Sequence, residues 1–570
     1  MFDFVSIKNG PFKWTVNRAF HLIFDRYFIK KESFIYSSID QNAIKDNNAR
    51  TIFTLELPQK SAVRSKNRKP VSILVKRYKI SGVLDILKAT FFSLAHKEMR
   101  YAYYLMEKQV DTIYPLAILE KKKFGFTTDV FFFLKKIENA IPLKDMLLAP
   151  APLEQKYKLL KTLAGLVRRV HQAGFFHQDF HLGNVLADPR RPQKLFVIDL
   201  HRSEIVGRFE EKHQVSSLAQ MAYSISTVLS ATNAYRFLEY YYEPGYAEKN
   251  AGDLTRKIFR QAKALRFRHW QNRNKRCLRN SSAYQILRAE DSGNHFRIFT
   301  RRGLFGKNTQ QIDKLILNQI KNHSNLATNE PGKLIKSTSN RLISVGKFPK
   351  PIDPGAIVKE FRYSLSNKIK SLWGGHPAKE NWMAANGLLI RGINTAEPIA
   401  LVEEINPMLG WVRRAYLLAK EVKAVQTNLY VTENFASPLN PRKLLDQKKL
   451  FIKELACAVQ RLHRFGVFHG DLKANNILIE NRKDDKIVIC FIDLDKVEFA
   501  NNISLPERIL NLAQLNAAVL GIITRSDRLR FFRHYAVLEP DLPRKAEKDI
   551  IRRIMEITIA RKHFWPVKYI

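Results

Sequence analysis

The sequence predicts an α+β chain of two tandem units, each with a small strand-rich lobe and a larger helical lobe. Three observations carry this. One motif occurs twice, as His177-Gln178-Asp179-Phe180-His181-Leu182-Gly183-Asn184 and as His469-Gly470-Asp471-Leu472-Lys473-Ala474-Asn475-Asn476; each copy is followed by Ile-Asp-Leu, at 198–200 and 492–494. Landmarks recur at a nearly constant offset: 283 from Lys76 to Lys359 and from Pro115 to Pro398, 292 from His177 to His469, and 294 from Asp199 to Asp493. A repeat of that length copies a whole domain and is far too long for a solenoid period. In each half, short apolar runs of strand character precede the motif and helical spacing surrounds it. The halves are expected to divide at 1–290 and 291–570.

The first 60 residues mix aromatic and basic side chains and are expected to supply the first strands. Val71 to Lys76 reads as a strand ending in a lysine. Residues 91–110 carry apolar positions at helical spacing (Ala95, Met99, Ala102, Leu105, Met106), with Glu98 near the start. Phe131 to Leu134 reads as a buried strand, and Lys135 to Leu143 as the crossing between lobes. A helix over 153–174 leads into His171-x-x-Gly174 and the first motif loop. In the second half Gly355 to Lys359 is the lysine strand and Trp382 to Leu389 the following helix. Tyr430 to Glu433 is read as the crossing, and Leu455 to Leu462 as the helix into His463-x-x-Gly466.

The motif residues suit phosphoryl transfer. A carboxylate, Asp179 or Asp471, accepts the proton of an attacking hydroxyl. A carboxamide oxygen five residues on, Asn184 or Asn476, and the later carboxylate, Asp199 or Asp493, are hard ligands for magnesium on the phosphates. A strand lysine paired with a helix glutamate orients ATP phosphates in kinase-like small lobes; Lys76 with Glu98 fits that pair. Lys473 lies two residues after Asp471, where it could stabilise charge on a transferring phosphate. His181 holds that position in the first half, so the loop favours the second half as the more active. Neither half has a clear G-x-G-x-x-G loop. The carboxylates at 199 and 493 are followed by Leu-His-Arg and Leu-Asp, not by glycine.

Composition narrows the partners. The net charge is +43, and residues 251–350 alone carry 22 basic and five acidic side chains. Such a field implies an anionic partner. Residues 254–280 hold ten Lys/Arg and no acid beside Ile258, Phe259, Ala262, Leu265 and Trp270. That stretch reads as a basic amphipathic helix for an anionic membrane surface and as a last lobe helix packing its apolar side inward, two compatible readings, and peripheral attachment through it is expected. No nucleic-acid module is recognisable, so no nucleic acid is expected. Three cysteines give no disulfide framework, and Cys490 reads as a small core residue in a reduced, intracellular chain. No apolar run approaches the ~18–20 residues needed to span a bilayer. The N-terminus does not read as a secretory signal.

These motifs carry a resemblance. Val75-Lys76-Arg77-Tyr78, His177-x-Asp179-x-His181-x-x-Asn184 and Ile198-Asp199-Leu200-His201-Arg202 resemble the lipopolysaccharide kinase (Kdo/WaaP) family of Gram-negative bacteria. So do Val358-Lys359-Glu360-Phe361, His469-Gly470-Asp471-Leu472-Lys473-x-x-Asn476 and Ile492-Asp493-Leu494-Asp495. The chain is similar to a tandem member over about 70–550. The resemblance implies a protein-kinase-like fold, ATP, Mg2+, and phosphorylation of a sugar hydroxyl on the lipopolysaccharide inner core. It also implies a lipopolysaccharide core or lipid A precursor as partner, met at the cytoplasmic face of the inner membrane. Within it, Asp179, Asp471 and Lys473 are the expected catalytic residues. Lys76, Glu98, Lys359 and Glu380 are expected on the nucleotide, and Asn184, Asp199, Asn476 and Asp493 on the metal. Glu380 partners Lys359 if one residue is inserted before Pro398; without the insertion, Asn381 stands where Glu98 does. A Ser/Thr protein kinase, a small-molecule phosphotransferase and a non-catalytic scaffold in one half remain alternatives on the motif alone.

Overall fold

The structure, a computed structural model, describes residues 3–46, 50–57, 71–80, 82–242, 251–304, 311–329, 334–346, 355–436, 441–481, 487–519, 522–537 and 546–561. The chain divides into two compact units, up to Leu265 and from Arg266 onward.

The first unit opens with β1 (Phe4–Asn9) and β2 (Phe12–Asn17), then α1 (His21–Tyr27), α2 (Glu32–Asn42), β3 (Ala43–Asp46), β4 (Arg50–Leu57) and β5 (Val71–Tyr78). Two helices follow, α3 (Val83–Phe91) and α4 (Leu94–Glu107), then β6 (Tyr114–Lys123) and β7 (Phe126–Lys135). The strands form one antiparallel sheet in the order β1-β2-β6-β7-β5-β4-β3. The apolar run in β7 has a simple reason. Side chains alternate across a strand, so Phe131 and Phe133 enter the core with Trp14, Phe24 and Phe28. Val130, Phe132 and Leu134 enter the other core, shared with the helical lobe.

The helical lobe of the first unit contains β8 (Ile141–Pro142), α5 (Leu143–Leu148), α6 (Leu153–Gln172), β9 (Phe175–His177), β10 (Val185–Asp188), β11 (Arg191–Val197) and β12 (Ser203–Ile205). It closes with α7 (Glu211–Val228), α8 (Ala231–Tyr242) and the first part of α9 (Ala251–Asn274), which runs on past Leu265 into the second unit. The leucines and valines predicted on α6 are buried as one stripe. On α9, Leu254, Ile258 and Ala262 join this core. The apolar face of the basic helix therefore packs inward, and the reading of 254–280 as a membrane-lying helix does not hold for that face.

The second unit repeats this plan: β13 (Tyr284–Asp291), β14 (Asn294–Arg301), α10 (Ile312–Asn329), β15 (Lys336–Thr338), β16 (Arg341–Gly346), β17 (Ala356–Arg362), α11 (Leu365–Leu372), α12 (Pro377–Ile390), β18 (Pro398–Ile405) and β19 (Val412–Lys420). Its sheet runs β13-β14-β18-β19-β17-β16-β15, the same order as the first. Then come β20 (Val425–Gln426), α13 (Thr427–Phe435), α14 (Pro441–Arg464), β21 (Val467–Phe468), β22 (Ile477–Asn481), β23 (Ile487–Phe491), β24 (Glu498–Phe499), α15 (Leu505–Ala517), α16 (Arg525–Val537) and α17 (Glu547–Ala560).

Two expectations shift. Tyr430 to Glu433 lies inside α13, so the crossing falls earlier, over 421–426. The division between halves lies before 290/291, because β13 pairs with β14 from Tyr284↔Arg301 to Asp291↔Asn294 and Trp382 donates to the Cys277 carbonyl. The three cysteines are unpaired, and Cys490 is buried as predicted.

In each unit one buried histidine ties the helix before the motif loop to two of the helices that follow the loop. His171 meets Tyr241 Oη at 2.9 Å and Ser217 Oγ at 2.8 Å. His463 meets Tyr535 Oη at 2.7 Å and Asn511 Oδ1 at 3.2 Å. Burial pushes their pKa values down to about 3 and about 4. Both rings are therefore neutral when folded and near 6.5 when unfolded. The stability they confer is complete above the unfolded value and is lost as pH falls below it. Between pH 7 and 5, each should cost its unit about 2 kcal/mol. Denaturant unfolding at the two pH values checks this; a flat profile would refute the neutral lock.

Candidate active site

The site of the first unit is assembled from β4, β5, α4 and the segment after β11. Lys76 on β5 reaches Glu98 on α4, Nζ to Oε1 at 2.5 Å, and Tyr78 donates to the other Glu98 oxygen at 2.6 Å. Both members of the ion pair are buried. The expected lysine–glutamate pair is therefore formed.

Beside it stands Asp199, in the left-handed region at φ 65°. Arg50 on β4 forks onto its carboxylate at 2.7 and 2.9 Å. His201 Nδ1 lies 2.8 Å from Oδ1. Burial pushes the Asp199 carboxyl up, but the hydrogen bonds of Arg50 and His201 outweigh it and hold it well below the usual carboxylate range. Carboxylate oxygens of Glu98 and Asp199 and a ring nitrogen of His201 all fall within 4.8 Å of one another.

The motif loop is tied to this cluster through its backbone. His177 is fully buried, its Nε2 3.1 Å from the Ile198 carbonyl, and its Nδ1 accepts the Asp179 N–H. That fixes one neutral tautomer, with the proton on Nε2. Asn184 donates Nδ2 to the Asp179 carbonyl at 2.8 Å, which leaves its Oδ1 as the outward ligand atom. Asp179 itself is partly exposed, with His181 Nε2 at 3.7 Å and Arg202 Nη1 at 4.0 Å. A carboxamide oxygen beside an ionised carboxylate suits a hard cation such as Mg2+, so the residues present fit the metal the motif implies.

The second unit keeps the backbone frame and changes the partners. Asn476 donates to the Asp471 carbonyl at 2.9 Å, and Asp493 has φ 57°. Lys473 Nζ sits 3.0 Å from Asp471 Oδ1, so this lysine is held on the Asp471 carboxylate. Glu380 does not partner Lys359. It is exposed on α12, and Asn381 takes the inward position of Glu98. The rigid offset through Pro398 is the right one. Lys359 instead reaches Asp495 at 2.8 Å and Asp493 at 3.2 Å. Asn381 donates to the same Asp495 oxygen at 2.5 Å, and Arg341 pairs with the other.

Four partners were missed by sequence reasoning: Arg50, Arg341, Asn381 as a ligand, and Asp495. The last two leave a signal as a matched exchange. Where the first unit has Glu98 and His201, the second has Asn381 and Asp495 at the corresponding offsets.

A cavity of about 440 Å3 opens in the second unit. Ile343, Ile357, Leu417, Ala419 and Leu478 line it, with Arg341, Lys359, Asn381, Asn476 and Asp493 among its polar groups. An apolar slot with cations and hard oxygens suits a base-plus-phosphate ligand.

A family model described as the lipopolysaccharide kinase (Kdo/WaaP) family matches residues 86–241 and 374–535, together more than half of the chain. A solved structure described as "WaaP in complex with acyl carrier protein" is 22% identical, with a TM-score of 0.31. That alignment covers 40% of this chain and 87% of the other. A search of curated proteins finds no match.

The two glutamates should separate cleanly in stability. Glu98→Gln leaves a buried ammonium without its counter-charge and should cost about 3–5 kcal/mol. Glu380→Gln, on an exposed position, should stay within about 0.5 kcal/mol. Denaturant titration of the full chain reads both; equal costs would show that the second lysine depends on Glu380 after all.

Proposed function

As a member of the lipopolysaccharide kinase (Kdo/WaaP) family, the chain is a kinase, and we propose that it transfers a phosphoryl group from ATP to a sugar hydroxyl of the lipopolysaccharide inner core. The observation that carries the reading is the buried Lys76–Glu98 pair set beside the Asp179, Asn184 and Asp199 frame.

In this reading Asp179 receives the proton of the sugar hydroxyl, and its partial exposure leaves it open to a large acceptor. His177 holds the loop in place by its two backbone contacts. Lys76, fixed by Glu98, contacts the nucleotide phosphates. Asn184 Oδ1 and the Asp199 carboxylate would hold Mg2+, which when bound neutralises charge on the phosphates.

In this proposal the transfer step belongs to the first unit rather than the second. Among the described residues Lys359 pairs with Asp493 and Asp495 and not with a glutamate. Lys473, which made the second loop the stronger candidate in sequence, is engaged with Asp471. The second unit, with its cavity, is proposed as a nucleotide-binding partner domain.

The inner-membrane surface is a further part of the proposal. No helix among the described residues is long and apolar enough to cross a membrane. However, α3 has no buried residue, and Val83, Leu84, Phe91 and Phe92 are all exposed, with Lys88 in the last turn. At the same place in the second unit, α11 exposes Leu365 and Trp373 (81%) beside Lys368 and Lys370. Short helices with apolar and cationic faces suit the boundary of an anionic bilayer. In α9 the apolar face is already used.

Two measurements test these points. With labelled ATP and purified lipopolysaccharide core, Asp179→Asn should reduce transfer by about 10²–10⁴, and Asp471→Asn should leave it within a few-fold. The reverse pattern would move catalysis to the second unit, and transfer to protein but not to core would displace the sugar substrate. In vesicle flotation, replacing Phe91, Phe92 and Trp373 together by Ser should release the chain from anionic vesicles; retention at the wild-type level would remove these helices as the contact.

A further inference from the structure

We propose that Arg50 and Arg341 are the phosphate ligands of their units, standing in for the glycine-rich loop that neither half contains, and that each releases an aspartate to take up the nucleotide. The inference rests on the reading of the two sites as nucleotide sites.

The argument begins with register. In the first unit Ile52 pairs with Lys76 and Arg50 with Tyr78. Residues opposite each other in an antiparallel pair share a face, and so do residues two apart. Arg50 and Lys76 therefore project from the same face of the sheet. In the second unit Ile343 pairs with Lys359 and Arg341 with Phe361. The two arginines thus hold one position, on the strand neighbouring the lysine strand, and both start that strand.

The local sequence makes the position telling. A glycine-rich loop holds phosphates with backbone N–H groups that come close because no Cβ intervenes. The stretches before these arginines, Ala43 to Ala49 and Lys336 to Asn340, contain no glycine. What they share instead is the arginine after them.

The contacts show what that arginine can reach. Arg50 places both Nη atoms on the Asp199 carboxylate, and Arg341 is paired with Asp495. The carboxylates differ, one belonging to the Ile-Asp-Leu aspartate and the other two residues later. The arginine reaches the same cluster in both units. Arg341 also lines the 440 Å3 cavity with Lys359, Asn476 and Asp493. A planar guanidinium fork fits a carboxylate or a phosphate edge equally well. A guanidinium forked onto both oxygens of Asp199 puts positive charge where a metal ion would approach the carboxylate, so the two compete for it. The same arginine can satisfy both needs in turn by moving from Asp199 to the phosphates as Asp199 turns to the metal.

The test is nucleotide binding rather than turnover. Titration calorimetry of the full chain with Mg-ATP and with adenosine would compare wild type with the Arg50→Ala/Arg341→Ala double variant. ATP affinity should fall by about 10- to 100-fold, the range for a charge-assisted hydrogen-bonded contact, with adenosine affinity unchanged. Arg50→Lys/Arg341→Lys keeps the charge without the fork and should recover part of the loss, which also guards against a misfolded alanine variant. A parallel loss of ATP and adenosine binding in both variants would overturn the proposal. So would tighter ATP binding on removing the arginines, which would make them plugs and not ligands. A wild-type chain that binds neither ligand would sink the nucleotide reading, and this inference with it.

Discussion

A lysine ammonium taken out of water must have an anion, and that requirement shapes both sites. In the first unit the anion is Glu98 on α4, and the pair is fully enclosed. Removing one member of such a pair costs several kcal/mol because the other stays buried and uncompensated. The second unit has Asn381 at the glutamate position, so its lysine would be stranded if nothing else changed. The carboxylate reappears as Asp495, on the loop after Asp493, where the first unit has His201. Asn381 then serves that carboxylate with a hydrogen bond. The charge balance around the lysine is kept by moving the negative group from helix to loop.

In the first unit Glu98 takes Lys76, while Arg50 and His201 take Asp199. A carboxylate after Asp493 draws the lysine toward that aspartate, and Lys359 now contacts both. Burial pushes Asp495 up, and Lys359, Arg341 and Asn381 more than reverse this. Both sites are closed by internal ion pairs, centred on Asp199 in the first unit and on Asp495 in the second. The asymmetry between the units follows from this single relocation, although their sheets share one strand order and the loop aspartates of both adopt positive φ. A non-glycine residue held there in both copies marks backbone strain at a functional position.

Much of this was legible in the sequence. The lysine strands, the Asp–Asn–Asp spacing and the duplication could be read because they depend on order along the chain. The apolar run of β7 was readable as a buried strand because both of its faces meet a core. What escaped was set by contacts across the fold. Arg50 and Asp199 are 149 positions apart, and only strand register brings them together. The sequence points to Glu380 because it shows only the helix carboxylate, whereas the lysine's counter-charge comes from Asp495, 136 positions away. Tyr430 and Val431 do not mark the crossing, because they are buried on α13 and join the helical core. The exposed apolar face of α3 gave no warning, since spacing alone does not tell an inward stripe from an outward one.

The position of β13 bears on how the chain can be divided. It covers one side of β14 along eight paired residues, and the turn before it receives the Trp382 indole at Cys277. A fragment starting at 291 would expose β14 as a new sheet border, with Ile298 and Phe299 on a strand whose hydrogen-bonding groups face outward. Such a border invites pairing with another copy of itself. Poor solubility in such a fragment would reflect the missing strand rather than a second unit unable to fold.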